Sequence, residues 1–437
     1  MTAARHRPVG SGVVTTRAIS GEPAGPLDVQ TVRVDPDVAG HLLDLLPDEG
    51  PVTWLRRGEG LVGWGVAAEI RTSGATRFAD ADKWWGEIAD TAEVRDEVNE
   101  PGTGLVSFGS FGFADEPGDS VLIAPEVVVG RRGDTTWLTT ITRRGHSIAA
   151  PLDHARAEVR SPIDVSFGDG ALNGEQWMSV IGDAVRRIGS GALEKVVLAR
   201  DLVATAASPI DVRWPLRRLT EDYPMCWTFH VDGLFGATPE MLVRRERGLV
   251  TSRVLAGTIR RTGHDERDLA LAAALARSSK DLEEHEYAVR SVADALEPHC
   301  SSMNVPEAPF VLHLPNVMHL ATDVAGVTHE TDDVASSLTL AEALHPSAAV
   351  GGTPTSVATA MIAEIEGMDR DRYAGPVGWM DTTGDGEWGI ALRSASLSGN
   401  TVRLFAGCGI VADSDPEAEL AEAQAKFVPV RDSLTAD

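Results

Sequence analysis

The chain has 437 residues, 43% of them hydrophobic, with a mean hydropathy near zero, which is ample for a large core in one or two domains. Its formal charge of -26 argues against a nucleic-acid binder, because phosphate affinity needs a basic surface; a small anion would need a locally positive site. No apolar run of about 18 residues exists to span a membrane, and three cysteines without CxxC spacing, Cys226, Cys300 and Cys408, suggest a reduced, cytoplasmic setting without zinc or a disulfide framework.

Residues 1–25, rich in Gly, Thr, Ser and Pro, read as a poorly ordered tail lacking the apolar stretch of a secretory signal. From 26 to 165, runs such as GLVGWGVAAEI, GLVSFGSFGF and VLIAPEVVVG alternate with Gly and Pro turns, an antiparallel strand pattern that reads as scaffold. No internal repeat is visible. From 166 onward helices join the strands. Asn173 and Gln176 form a candidate capping box for the helix EQWMSVIGDAVRRIG, ending at Gly189 and Gly191. Strands are predicted at KVVLARDLVAT, CWTFHVDG, FGATPEMLV and VTSRVLAGT, followed by two successive helices, the second carrying KDLEEHEYAVRSVADAL. A strand meander follows Gly375, and Asp415 with Pro416 opens a final helix.

Two acidic pairs stand out: Asp281 with Glu284, and Glu419 with Glu422. Each is spaced i,i+3 on a predicted helix, so its carboxylates share a face. They read either as solvated surface charge or as ligands of a hard cation such as Mg2+. Lys426 continues the stripe of the second pair, and can hold a metal-bound anion or simply pair with Glu422. Lys195 opens an apolar strand, where burial would lower its pKa toward that of a general base, unless it snorkels to water. Glu240 interrupts an apolar segment, where burial would raise its pKa, unless it is a turn residue after Pro239. Arg393 falls out of phase with Ile390 and Leu392 and is predicted to project from the opposite sheet face, able to grip a carboxylate. HEYAV lacks the second histidine of a zinc protease motif, and VGGTPTS and GCGIV match neither phosphate-loop nor dinucleotide fingerprints.

KVVLAR, GATPEMLV, LAGTIRR, SSKDLEEHEYAV, VMHLATDVAG, ALHPSAAVGGTP, RYAGPVGWMD, IALRSA, AGCGIV and SDPEAELAEAQAK resemble, in order, the motifs of the chorismate-utilising enzymes over residues 170–430. The resemblance implies a single large α/β domain of α+β type, with two antiparallel β-sheets in a sandwich and helices packed outside. In it 26–165 is scaffold and 166–437 the chorismate-binding catalytic region. It also implies Mg2+ as cofactor, with Glu284 and Glu422 as direct ligands and Asp281 and Glu419 acting through water. Tyr373, Arg393 and the Gly409 backbone resemble the grip on the enolpyruvyl carboxylate. Lys426, Gly257 and Thr258 resemble the contacts to the ring carboxylate, and His319 lines the same pocket. Lys195 as base and Glu240 as acid would then interconvert chorismate and isochorismate, for menaquinone or siderophore biosynthesis.

Within the family, Ala256 stands where aminodeoxychorismate synthases carry a lysine nucleophile, and Lys195 is a base that anthranilate synthases generally lack. Ala349 stands where pyruvate-releasing salicylate synthases, the alternative reading, carry threonine. Leu420 and Ala423 depart from the family pattern, which has an aromatic residue and a threonine there. A monomer is expected, with chorismate as its partner and neither nucleic acid nor membrane.

Overall fold

The computed structural model describes residues 25–148, 151–152, 158–313, 317–329 and 334–435, excepting the side chains of Val38, Thr258, Lys280 and Glu284. The expected tail, up to residue 24, lies outside the described residues. The strand-forming runs assemble into two large sheets of 13 and 10 strands, with helices on their outer faces, in the mixed α/β class implied by the sequence. One pairing departs from the antiparallel expectation: Leu27–Arg33 runs parallel to Glu93–Asp96.

Between the sheets, Trp54 of the larger donates from Nε1 to Glu387 of the smaller at 2.7 Å. The Trp54 ring occupies space that only a glycine leaves open, since a Cβ at Gly389 would sit 2.9 Å from it. Phe108, Phe111, Phe229, Phe235 and Trp388 are fully buried, each contributing roughly 1.5–3 kcal/mol of apolar burial. Strands from residues 27–143 enter both sheets. The strand order also mirrors itself about the pairing of Trp227–Val231 with Val52–Arg56: a topological duplication that the sequence does not display as a repeat.

Four runs that are continuous in the sequence pass from one sheet to the other. Glu59–Trp64 and Ala68–Thr72 belong to different sheets, as do Ser120–Ala124 and Val127–Arg132. The same holds for Leu234–Thr238 with Met241–Glu246, and for Gly386–Ile390 with Ser394–Ser398. Pro125 and Pro239 explain two of the breaks, because proline cannot donate to a continuing ladder.

The helix Gly174–Gly189 begins with the anticipated capping box, Asn173 accepting from the Gln176 N–H at 2.9 Å and Gln176 from the Asn173 N–H at 3.0 Å. It buries Trp177, Ile181, Ala184 and Ile188, one face at helical spacing, and Trp177 donates to the Ala199 carbonyl at 3.0 Å. Asn173→Ala should lower stability by about 1 kcal/mol, seen as a lower melting temperature with unchanged turnover. The final helix, Pro416–Ser433, is capped by Asp415, which accepts from the Ala418 N–H at 2.9 Å. Leu420 packs over Gly174 and Ala423 is fully buried, so the two departures from the family pattern serve contact with neighbouring elements.

Candidate active site

Lys195 starts the strand Lys195–Thr205, which pairs along its length with Thr401–Ile410. The Lys195 side chain crosses the neighbouring strand over Gly409, where an added Cβ would lie 2.8 Å from Lys195 Cε. Gly409→Ala should therefore displace the amine. If the amine takes part in the reaction, a displacement of about 1 Å should cost about 10²-fold in kcat, measured against an unchanged melting temperature.

Two of the sheet-to-sheet passages lie side by side and form one corner. The Ile390 N–H donates to the Glu240 carbonyl at 3.0 Å, Thr238 Oγ1 donates to the Ile390 carbonyl at 2.6 Å, and the Ala237 N–H donates to the Arg393 carbonyl at 3.2 Å. Glu240 is thus a corner residue, partly buried, rather than an interruption within a strand. Arg393 is corrected likewise: it sits between strands, with φ +49°, and not on a continuous strand face. That left-handed conformation is uncommon for a residue with a side chain.

Burial pushes the Glu240 carboxyl above its ordinary pKa, although Arg393, Lys195 and Lys426 stand close enough to pull it down. His319 pairs with Thr258 and Leu312 across neighbouring strands. Burial, with Arg393 and Lys426 nearby, lowers His319 to about 4, so its imidazole is neutral near pH 7. Tyr373 is buried and stacks on Phe405 with ring centres 5.0 Å apart, and burial raises its phenol to about 12. The Arg393 charge acts on the titration of all three.

Lys426 donates to the Gly407 carbonyl at 2.8 Å and pairs with Glu422 at 2.7 Å. Burial opposes charge on Glu422, but the paired Lys426, with Arg260 and Arg393 farther off, outweighs it and holds the carboxyl below its ordinary value. Burial raises Glu419, which accepts from Ser414 Oγ at 2.7 Å, with Glu422 adding to the rise. Glu419, Glu422 and the Cys408 thiol bring donor atoms within 4.8 Å of one another. The thiol, raised by burial to about 12, is neutral and soft, so this donor set suits a hard cation through its two carboxylates.

Asp281 does not join that group. It sits on the helix Ser279–Leu296 against Gly257, whose φ of +73° marks a slip in register between Ala256 and Thr258. A Cβ at Gly257 would lie 3.2 Å from Asp281 Cβ, so the glycine allows the helix its close approach. His285 fixes the same helix, with one ring nitrogen 2.8 Å from Thr322 Oγ1 and the other 3.3 Å from the Ala256 carbonyl. The side chains of Glu284 and Thr258 lie outside the described residues. Ala349 is exposed in the turn before Gly352–Thr353, which pairs with Lys195 and Val196.

Sequence reasoning missed Cys408, Ser414 and the buried pair Glu366 and Arg370. The only sequence signal for the pair was its charge within the EIEGMDRDRYAG stretch preceding Tyr373.

The description "Chorismate binding enzyme" matches residues 52–435. The chain is 32% identical over 404 residues to isochorismate synthase MenF of Bacillus subtilis, spanning 86% of this chain and 85% of that protein. It is 34% identical over 398 residues to the salicylate biosynthesis isochorismate synthase of Pseudomonas aeruginosa, spanning 85% and 82%. Among solved structures, MenF, the menaquinone-specific isochorismate synthase of Escherichia coli, superposes with a TM-score of 0.77 at 25% identity, covering 94% of this chain and 95% of that one. With its fold, its ordered motifs and nearly its whole length in agreement, this chain belongs to the chorismate binding enzyme family.

Proposed function

We propose that the protein is a Mg2+-dependent isochorismate synthase, interconverting chorismate and isochorismate. The observation that carries this reading is the corner carboxyl of Glu240, raised by burial within reach of the Lys195 charge. A base and an acid at one site are what hydroxyl migration requires. Lys195 takes a proton from water as its oxygen bonds to ring C2. The ring double bonds shift, the C4–O bond breaks, and Glu240 gives its proton to the departing hydroxyl, which leaves as water. One water enters and one leaves, and no pyruvate is formed.

Arg393, with Tyr373 and the Gly409 backbone, holds the enolpyruvyl carboxylate, and Lys426 with Gly257 and Thr258 receives the ring carboxylate. Glu422 and Glu284, with Glu419 and Asp281 through water, would hold Mg2+, which when bound would supply a positive charge to offset that of the ring carboxylate. Arg393, Lys426 and the cation supply the local positive field that a chain of net charge -26 otherwise lacks. Unpaired cysteines at 226, 300 and 408 support work in a reducing cytoplasm.

Incubation with chorismate and Mg2+ should give isochorismate without stoichiometric pyruvate, and EDTA should stop the reaction reversibly. Stoichiometric pyruvate with salicylate would replace this reading with a salicylate synthase. Chorismate binding without turnover would make the protein a non-catalytic binder.

A further inference from the structure

One edge of the Lys195 strand is left incomplete by its neighbours, and the side chains of Glu366 and Arg370, with Trp177 at the Ala199 carbonyl, complete it. On that edge Gly352–Thr353 pairs only with Lys195 and Val196, and Ser166–Asp169 only with Leu202–Thr205. The Val197 N–H donates to the Gly351 carbonyl at 2.9 Å, and the Gly170 N–H donates to the Asp201 carbonyl at 3.2 Å. Between them, Arg370 Nη2 donates to the Val197 carbonyl at 2.7 Å, and the Ala199 N–H donates to Glu366 Oε2 at 2.7 Å. Buried backbone groups of this kind are costly when unpaired.

Glu366 is 1% exposed and Arg370 3%. They form a two-point fork, Arg370 Nε to Glu366 Oε1 at 2.7 Å and Nη2 to Oε2 at 2.6 Å. The guanidinium lies 4.2 Å from the centre of the Phe113 ring. Its remaining nitrogen, Nη1, donates to the Val350 carbonyl at 2.9 Å, in the turn that carries Ala349. The Tyr373 N–H donates to the Arg370 carbonyl at 2.9 Å. One fixed ion pair thereby ties the strand that presents Lys195, the turn at Ala349 and the backbone of Tyr373.

We infer that Glu366 and Arg370 are positioning residues, holding the Lys195 amine in register with the turn at Ala349 and Val350 for proton transfer. The inference rests on Lys195 being the base. Neither side chain touches the substrate; both act through the Lys195 strand, so their loss should fall on kcat far more than on KM.

Arg370→Lys keeps a cation beside the buried Glu366 but cannot span Val197, Val350 and both carboxylate oxygens. Asp385→Asn serves as control, because it breaks a comparably buried arginine pair, Arg245 with Asp385 at 2.7 Å, in the other sheet. Arg370→Lys should lower kcat at least tenfold with KM for chorismate within about threefold, a loss of about 1.4 kcal/mol or more in transition-state stabilisation. Asp385→Asn should keep kcat within twofold at an equal or larger loss of melting temperature.

A second measurement needs no turnover. The chain has four lysines, Lys83, Lys195, Lys280 and Lys426, so acetylation of Lys195 can be read by mass spectrometry relative to Lys83. In Arg370→Lys this ratio should change at least threefold, and in Asp385→Asn it should not. A kcat within twofold of wild type, or a fall in kcat matched by the control, would overturn the inference. If wild type turns over no chorismate, the functional reading fails by itself; the labelling ratio then decides, and an unchanged ratio removes the positioning role too.

Discussion

Lys195→Ala should bind chorismate within a few-fold of wild type yet lose about 10²–10⁴-fold in kcat, the usual contribution of a placed general base. The methyl group left behind cannot take the proton released as water bonds to the ring, and no other described side chain lies over Gly409 as Lys195 does. Binding should persist because the carboxylate contacts proposed for Arg393, Tyr373 and Lys426 lie on other elements. Isothermal titration with chorismate and a product assay separate the two quantities. Turnover near the wild-type rate would sink the assignment of the base.

Glu240→Gln should lower kcat over a similar range of about 10²–10⁴-fold, because glutamine keeps the corner's shape but has no acidic proton for the departing hydroxyl. The same residue sets one limb of the pH profile. Its folded-state pKa is raised by burial, so the proton-donating form persists above the ordinary carboxylate range and is lost as pH rises through the raised value. Wild-type kcat should therefore fall on that alkaline side, and this limb should be missing from whatever rate Glu240→Gln retains. A limb that persists unchanged in the variant would assign the titration to another group.

Much of this site could be read along the chain because its chemistry resides in short runs. The capping box at Asn173, the strand from Lys195 and the helix opened by Asp415 depend on neighbours within a few residues, and their signals are local. The corner was hidden for the opposite reason. GATPEMLV and EWGIALRSA each read as one strand by period two, because the apolar pattern continues after the chain has changed sheets. The change of sheet depends on which partner strands are available, and those partners come from distant parts of the sequence.

Glu366 and Arg370 were hidden in the same way. Their two charges carry no local signal until a strand edge about 170 residues earlier leaves backbone groups that they meet. Cys408 likewise shows its relation to Glu419 and Glu422 only when the final helix lies against its strand.

The residue types, their order and the local periods thus specified the family, the helices at Gly174–Gly189, Ser279–Leu296 and Pro416–Ser433 and the list of candidate groups, since these follow from near-neighbour spacing; the helix Arg77–Thr91, in a stretch expected to hold strands alone, was not among them. The tertiary structure decided how the groups meet: Glu240 and Arg393 at one sheet-to-sheet corner, Lys195 laid over Gly409, and Glu419 and Glu422 beside Lys426. Burial and proximity set these relations, raising Glu240 and lowering Glu422, and both are properties of packing between segments far apart in the chain.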